Sequence, residues 1–382
     1  MTSRARFPGL SDGWARLDGA AGTLMVDTAI DAMADFMRSP SASNLGGSFA
    51  ASAACDELMD RARATVGELV GRGDGDVVFG PNSTTLLMGF TRALGRYLGP
   101  GDRIVCTQLD HDSNVSTWMA IAADVGAEVV LWPLSENGNL DLDGLDKLLA
   151  DGDVAWVAVT GASNLTGAVP PIAAIVERAH AAGARVHLDA VARVPHLRTR
   201  RDELGVDSLM TSSYKWYGPH VGVLALSADL LTTVEPYRVR PADYQGAPRF
   251  ETGTPAFEGI AGITAAAEFL LSEPDPAPVE LALLDRLETG LRDLPGVDLY
   301  APTTGDERSP TTVFNVGDRS PADVAAHVAT REVSVWSGDN YARELVGALG
   351  LTERGGVVRA SIVRYNDESD IDRLLEAVAE LT

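Results

Sequence analysis

The sequence is poor in cysteine, in lysine and in positive charge as a whole. It has two cysteines in 382 residues, and 31 basic against 54 acidic side chains give a formal net charge of −23. Nucleic acids and anionic membrane surfaces attract basic proteins, so this charge argues against both as partners. Cys55 and Cys106 show neither a metal-binding nor a redox spacing. The excess acid is most simply explained as a solvated surface.

Long apolar runs are also missing. No segment approaches the roughly 18 consecutive apolar residues that predict a membrane span. Residues 1–10 lack the apolar stretch of a secretory signal, so we expect a cytoplasmic protein. The hydrophobic share of 45% is that of an ordinary globular chain, and the length predicts a large domain with a smaller one beside it.

The scarcity of lysine draws attention to one stretch. Lys147 and Lys215 stand against 29 arginines, and Lys215 lies among aromatics and small hydroxyls in residues 211–220 (TSSYKWYGPH). An arginine cannot shed its proton in a protein, whereas a desolvated lysine can. Lys215 is therefore a candidate for the deprotonated amine that Schiff-base chemistry needs. A surface lysine in a turn explains this residue alone equally well.

Apolar strands alternate with helical patterns over the first two thirds of the chain. This alternation predicts an α/β fold with a mostly parallel sheet and helices on both faces. We divide the chain into an N-terminal arm (1–22), a large domain (23–260) and a small C-terminal α+β domain (261–382). The predicted strands of the large domain are 77–80, 103–108, 128–132, 155–160, 185–188, 208–211 and 221–226.

Polar side chains follow five of these strands. In parallel sheets ligands bind at the carboxyl ends of the strands, so we expect these side chains on one rim. They are Ser83, His111, Asn164, Asp189 and Lys215. The first lies in a hydroxyl-rich turn between a strand and a helix, which is how proteins hold phosphate. Taken alone, that turn is more simply explained as an ordinary helix cap.

A cofactor with a phosphate, an aromatic ring and an aldehyde would use all these parts, and pyridoxal 5′-phosphate (PLP) is such a cofactor. Lys215 would bond to its aldehyde, Asp189 would face the ring nitrogen, and His111 would cover one ring face. The remaining predicted ligands are Ser83, Thr84 and Ser212 for the phosphate, Asn164 for the ring hydroxyl or the substrate carboxylate, and Arg359 for that carboxylate.

The chain resembles fold-type I PLP enzymes of the class V aminotransferase/cysteine desulfurase family. In chain order, the motifs that carry the resemblance are residues 17–22 (LDGAAG), 82–85 (NSTT), 110–114 (DHDSN), 163–167 (SNLTG), 188–190 (LDA), 212–219 (SSYKWYGP) and 251–255 (ETGTP). The resemblance implies PLP as cofactor and a seven-stranded sheet in the large domain. It also implies a homodimer, in which Thr254 reaches the phosphate in the partner's site.

Two departures from the family pattern affect the predicted activity. Tyr341 stands where desulfurases carry the cysteine that receives sulfur, and Ala192 replaces a Gln or His beside the ring. The first places the chain in a branch without a persulfide cysteine, with Tyr341 as a predicted substrate contact. The second leaves space beside the ring.

The resemblance then implies a PLP enzyme acting on an amino acid. We expect a β-eliminating C–S lyase on an S-substituted cysteine conjugate, of the kind found in natural-product biosynthesis. An aminotransferase, or a decarboxylating or oxidative deaminase, would need nearly the same residues. Retention of Lys215, Asp189, His111 and Arg359 argues against a scaffold that has lost catalysis.

Overall fold

The computed structural model describes residues 3–242, 244–302 and 307–382. Within these residues the strands are β1 (Ala15–Arg16), β2 (Asp76–Gly80), β3 (Arg103–Thr107), β4 (Glu128–Trp132), β5 (Val154–Thr160), β6 (Arg185–Asp189), β7 (Ser208–Ser212), β8 (Gly222–Leu226), β9 (Val297–Leu299), β10 (Thr311–Val316), β11 (Val333–Ser334), β12 (Trp336–Gly338) and β13 (Val357–Ser361).

The helices of the same residues alternate with these strands. They are α1 (Asp27–Arg38), α2 (Ala50–Val70), α3 (Ser83–Leu94), α4 (Ser113–Val125), α5 (Leu142–Ala150), α6 (Ile172–Ala181), α7 (Arg201–Leu204), α8 (Ala228–Thr233), α9 (Phe257–Ser272), α10 (Ala277–Asp293), α11 (Pro321–Ala329), α12 (Arg343–Ala348) and α13 (Glu368–Ala379). None of the described helices has both the length and the apolarity to cross a membrane.

A seven-stranded sheet forms the centre of the fold, in the order β2-β8-β7-β6-β5-β3-β4. Its strands run parallel except β8, which is antiparallel to both β2 and β7. The predicted mostly parallel sheet is confirmed, and each predicted strand agrees with the observed one to within a residue at either end. Helices cover both faces, so most residues of the central strands are buried and apolar, whereas the edge strand β4 is largely exposed or half-buried.

A second, antiparallel sheet of four strands (β12-β13-β10-β9) carries the C-terminal part. Its core joins Phe314 of β10 to apolar residues of α10, α11 and α13, among them Leu287 and Leu374. Strand β1 pairs with β11, so the N-terminal arm lies on this unit. Helix α9 continues through residue 260, the predicted boundary, and the division into domains stays a prediction.

Short elements are where the structure differs from the sequence prediction. Helices α7, α8 and α12 have four to six residues, too few to show a helical period. Residues 333–338 form two short strands with different partners, since β11 pairs with β1 and β12 pairs with β13.

A largely buried ion pair fixes the turn that carries Thr254. Both carboxylate oxygens of Glu251 accept hydrogen bonds from the guanidinium of Arg63 at 2.8 Å, and the Phe79 N–H donates to the same carboxylate at 2.8 Å. The two charged side chains are 11% and 13% exposed. Because these bonds join α2, β2 and the 251–255 turn, the turn has a fixed position beside the sheet.

Removing one partner of this pair should destabilise the protein strongly. We expect Glu251→Ala to lower the free energy of unfolding by about 3 kcal/mol, because Arg63 keeps a buried charge without its partner. The measurement is the midpoint of urea unfolding. Glu203→Ala is the matched control, since Glu203 pairs with Arg198 on the surface, and its midpoint should stay unchanged. Equal midpoints for the two variants would contradict the expectation.

Candidate active site

A small cavity lies at the carboxyl ends of β5, β6 and β7. It brings together six of the predicted site residues, namely Ser83, Thr84, His111, Asn164, Asp189 and Lys215. Ser113, Thr160, Ala162, Val191, Ala192 and Tyr214 complete its lining. The residues meet because parallel strands end at one edge of the sheet. Their functional roles stay predictions.

Lys215 lies in a short 3-10 turn that follows β7. Its Nζ donates a hydrogen bond to the carbonyl of Ala20 and lies 5.0 Å from the centroid of the Tyr214 ring. Burial, and after it the positive charge of Arg359, lower the pKa of Lys215 to about 7, while the charge of Asp189 opposes the shift. At neutral pH a large fraction of this amine is therefore an uncharged nucleophile.

Asp189 ends β6 and is buried against the cavity. Its Oδ1 accepts a hydrogen bond from the Val191 N–H at 2.9 Å. Burial raises the pKa of Asp189 to about 6, against the Val191 hydrogen bond and the charge of Lys215, which lower it. A cationic group placed in the cavity would hold this carboxylate ionised.

A second buried acid, Asp110, was missed by the sequence analysis. It accepts hydrogen bonds from Thr107 Oγ1 at 2.5 Å and Asn114 Nδ2 at 2.8 Å, and burial raises its pKa well above the usual value. Asp110 thereby ties the end of β3 to the start of α4 and fixes the loop that carries His111. The one feature of the sequence that could have indicated this role is its position directly before His111. A solvated loop residue could occupy that position equally well.

His111 is a neutral ring at the cavity wall. Burial lowers its pKa to about 4, and the positive charge of Lys215 adds to the shift. Its Nδ1 accepts a hydrogen bond from the Ser113 N–H at 3.1 Å, so the proton of the neutral ring lies on Nε2. The ring stacks on that of Tyr341, with centroids 5.4 Å apart.

The loop that carries Tyr341 is held at the cavity by hydrogen bonds from Asn164 and Asp112, which follow strands of the central sheet. Asn164 Nδ2 donates to the Asn340 carbonyl at 2.8 Å, and the Asp112 N–H donates to the Tyr341 carbonyl at 2.6 Å. Asn340 and Tyr341 have φ angles of 52° and 58°, in the left-handed region. That conformation costs roughly 1–2 kcal/mol per residue, so the contacts hold the loop in one place against local strain.

Arg359, on β13 of the second sheet, is a buried cation at the same place. It is 4% exposed, and its Nη1 donates to the Asn164 carbonyl at 2.9 Å. No carboxylate of the described residues lies within the 4.0 Å of an ion pair, although the more distant Asp18 attracts it. Burial lowers the Arg359 pKa to about 10. A buried guanidinium without an ion-pair partner suits an anionic ligand.

The N-terminus of α3 forms the other end of the cavity. The Ser83 N–H donates to Ser212 Oγ at 3.0 Å, and Asn82 caps the helix by accepting from the Thr85 N–H at 2.8 Å. Strand β8 approaches this turn closely at Gly222, where a Cβ atom would lie 2.3 Å from the Asn82 carbonyl carbon. Ser83 and Thr84 thus present hydroxyls at a helix N-terminus, which is an anion-binding arrangement.

Thr254 lies apart from this cavity. It lines surface depressions with Glu251, Thr252 and Gly253, one of which also includes His220. Its predicted contact with the site of a partner subunit stays a prediction. Ser212 does not line the cavity either, but its hydroxyl contacts Ser83, which does.

Known proteins resemble the chain over nearly its whole length. The aminotransferase class-V family profile matches residues 15–374. A cysteine desulfurase of Pectobacterium atrosepticum is 30% identical, with 96% of this chain and 93% of that protein aligned.

Solved structures agree with this result. The apo structure of the cysteine desulfurase from Thermococcus onnurineus superimposes with a TM-score of 0.93 at 26% identity, over 99% of this chain and 97% of that one. The cysteine desulfurase CsdA from Escherichia coli gives 0.88 at 26% identity over the same shares.

The cofactor of this family is PLP, as predicted, and the residues that line the cavity suit its chemistry. The amine of Lys215 is already nucleophilic near neutral pH, and the α3 N-terminus can take a phosphate. Asn164 Oδ1 is buried and has no hydrogen-bond partner among the described residues, as expected of a group that a ligand completes. Asp189 lines the same cavity and can face a ring nitrogen.

Covalent capture of the cofactor should follow the lowered pKa of Lys215. When PLP is added to the cofactor-free protein, we expect the rate of covalent capture at Lys215 to fall about ten-fold for each pH unit below 7 and to become constant above pH 7. Reduction with borohydride and mass mapping would locate the bond at Lys215 and not at the exposed Lys147. A rate that still rises steeply at pH 9 would mean an ordinary lysine, with a pKa of about 10.4.

The close approach at Gly222 should be needed for cofactor affinity. Gly222→Ala would push the start of α3 away from β8, and we expect the Kd for PLP to rise at least about ten-fold, because small displacements of binding groups are costly. Gly89→Ala in the same helix is the control, because its added Cβ would have no atom within 4 Å. Fluorescence titration measures both, and equal affinities would contradict the predicted phosphate site.

Proposed function

The chain belongs to the class V aminotransferase family, and from that membership we propose that it is a C–S lyase that cleaves S-substituted cysteines by β-elimination. PLP dependence and similarity to cysteine desulfurases come from the family itself. The proposal concerns the reaction and the substrate class. It is supported by the residues that surround the cavity and by the positions of the two cysteines in the fold.

The location of the cysteines is the observation that carries the proposal. Cys55 is buried in α2 and Cys106 is buried in β3, and both are fully inaccessible. Burial raises the pKa of the Cys106 thiol well above its usual value. A sulfur relay needs an accessible thiolate, and these positions offer none. The loop over His111 presents Tyr341 instead, so a desulfurase-type transfer of sulfur has no carrier.

The remaining residues suffice for elimination. When bound, PLP supplies an electron sink for the pair released at Cα. Arg359 binds the substrate carboxylate, and the neutral amine of Lys215 takes the Cα proton. Asp189, mostly ionised near neutral pH, would hold a proton on the ring nitrogen of bound PLP. His111, with its proton on Nε2, would cover one face of the cofactor ring and limit the access of water from that side.

The overall reaction balances with water as the one co-reactant. The Cα–H bond breaks and its proton goes to Lys215, and the Cβ–S bond breaks with the electron pair leaving on sulfur. The sulfur product takes up one proton as a thiol. The three-carbon fragment leaves as 2-aminoacrylate, which water converts to pyruvate and ammonia.

We also propose a homodimer with Thr254 facing the site of the partner subunit, and the cytoplasm as compartment. Thr254 lies on the fixed turn beside β2, in an open depression next to Pro81 and His220. An additional subunit could cover this depression. Sedimentation of the loaded protein would test the dimer.

The first experiment is a visible spectrum of the PLP-loaded protein, followed by addition of an S-substituted cysteine. We expect a band from cofactor bound to Lys215 and release of pyruvate and ammonia in equal amounts. Lys215→Ala should abolish the lysine-bound band and the pyruvate, because both the bond to the cofactor and the base are lost.

Other products would identify a different reaction. Pyridoxamine phosphate with a keto acid would mean transamination, and carbon dioxide or oxygen uptake would mean a decarboxylating or oxidative deaminase. Any of these without pyruvate overturns the lyase. Lys147→Ala, which changes the other lysine of the chain, is the matched control and should leave the spectrum and the products as they are.

A further inference from the structure

Two exposed aromatic side chains flank the loop above the cavity. Trp336 is 51% and Tyr341 is 72% exposed, and five positions separate them on the segment that passes over the site. We propose that this aromatic pair selects substrates whose sulfur carries a planar aromatic group without negative charge. The inference rests on the proposed lyase function, since it concerns the part of the substrate beyond Cβ.

Trp336 lies beside the residue expected to bind the substrate carboxylate. In the antiparallel pair of β12 and β13, Trp336 is directly opposite Arg359. Opposed residues of such a pair project to the same face of the sheet. Arg359 reaches Asn164 at the cavity from that face. The indole of Trp336 therefore lies on the side of the second sheet that faces the cavity.

Tyr341 lies at the cavity wall through its contact with His111. One face of its ring packs on His111, whose own ring lines the cavity. The backbone carbonyls of Asn340 and Tyr341 are bonded to the large domain, so the ring is held at the entrance. With its amino group at Lys215 and its carboxylate at Arg359, a substrate has to direct its sulfur substituent outward past this loop.

The exposure of these rings indicates a ligand contact. Trp and Tyr offer rigid, flat surfaces that lose little conformational entropy on binding, which is why they are common in binding sites. The left-handed backbone at Asn340 and Tyr341 is maintained although it exposes the tyrosine ring to water. A planar group stacked on these rings would cover their exposed faces.

Charge at the entrance determines which aromatic groups fit. Asp339 Oδ1 accepts a hydrogen bond from the Tyr341 N–H at 3.0 Å, and the backbone N–H of Asp112 donates to the Tyr341 carbonyl. Asp339 and Asp112 are therefore both next to Tyr341. Both carboxylates act on His111 at the cavity wall. They repel an anionic substituent, whereas a neutral or cationic ring stacks without this cost.

The test measures binding without cleavage. The probes are 2-amino-5-phenylpentanoate, its cyclohexyl analogue and its para-carboxyphenyl analogue, in which a methylene replaces sulfur so that nothing can leave. Titration calorimetry with the PLP-loaded protein gives each Kd. We expect the phenyl probe to bind about five-fold more tightly than the cyclohexyl probe, the usual size of an aromatic contact, and the carboxyphenyl probe to bind worst.

Variants test whether the rings of Trp336 and Tyr341 cause the preference for the phenyl probe. Tyr341→Leu and Trp336→Leu should each reduce the phenyl-to-cyclohexyl ratio toward one, whereas Tyr341→Phe should keep it. Tyr237→Leu is the control, since Tyr237 is an exposed aromatic that packs under Arg92 and Arg96 away from the cavity. A ratio near one in the unchanged protein, or a ratio that survives the double leucine variant, overturns the inference.

Failure of the lyase assignment would be a separate result. A protein that prefers the phenyl probe but releases no pyruvate from S-benzylcysteine retains the aromatic selection and loses the proposed reaction. A protein that releases pyruvate from S-benzylcysteine and S-methylcysteine with equal kcat/KM retains the reaction and loses the selection.

Discussion

Desolvation of charged groups around one small cavity is the constraint on which the site depends. Burial shifts the pKa of Lys215 down to about 7, that of His111 down to about 4 and that of Asp189 up to about 6, each toward the uncharged form. The sheet creates this condition by placing polar residues at strand ends among apolar neighbours. The same condition leaves Arg359 as a buried cation for which an anionic ligand is the natural partner.

Much of the architecture was predictable because buried parallel strands leave a strong pattern. All seven strands of the central sheet were found from apolar runs and their turns, and the rim residues followed from the rule that strands end at one edge. Lys215 was identified by chemistry, since a chain that uses arginine almost everywhere retains a lysine there. The rim residues and the resemblance both predict PLP, and the family match confirms it.

What could not be predicted depends on contacts between distant segments. Asp110 is a buried acid because Thr107 and Asn114 enclose it, which its own sequence position does not indicate. The carbonyl of Ala20 reaches Lys215 across 195 positions, and no local pattern encodes that contact. The position of Tyr341 on His111 likewise follows from two hydrogen bonds between separate parts of the chain.

The fixed loop and the missing thiol support the same interpretation. A loop that carries sulfur to an acceptor has to present its thiol first to the substrate and then to that acceptor, which requires movement. Here Asn164 and Asp112 hold the loop by its carbonyls, and two left-handed residues are kept in place. A reaction that ends with a diffusible thiol needs no such movement. In the proposed lyase, a rigid loop therefore positions the leaving group, and rigidity is compatible with activity because the product leaves by itself.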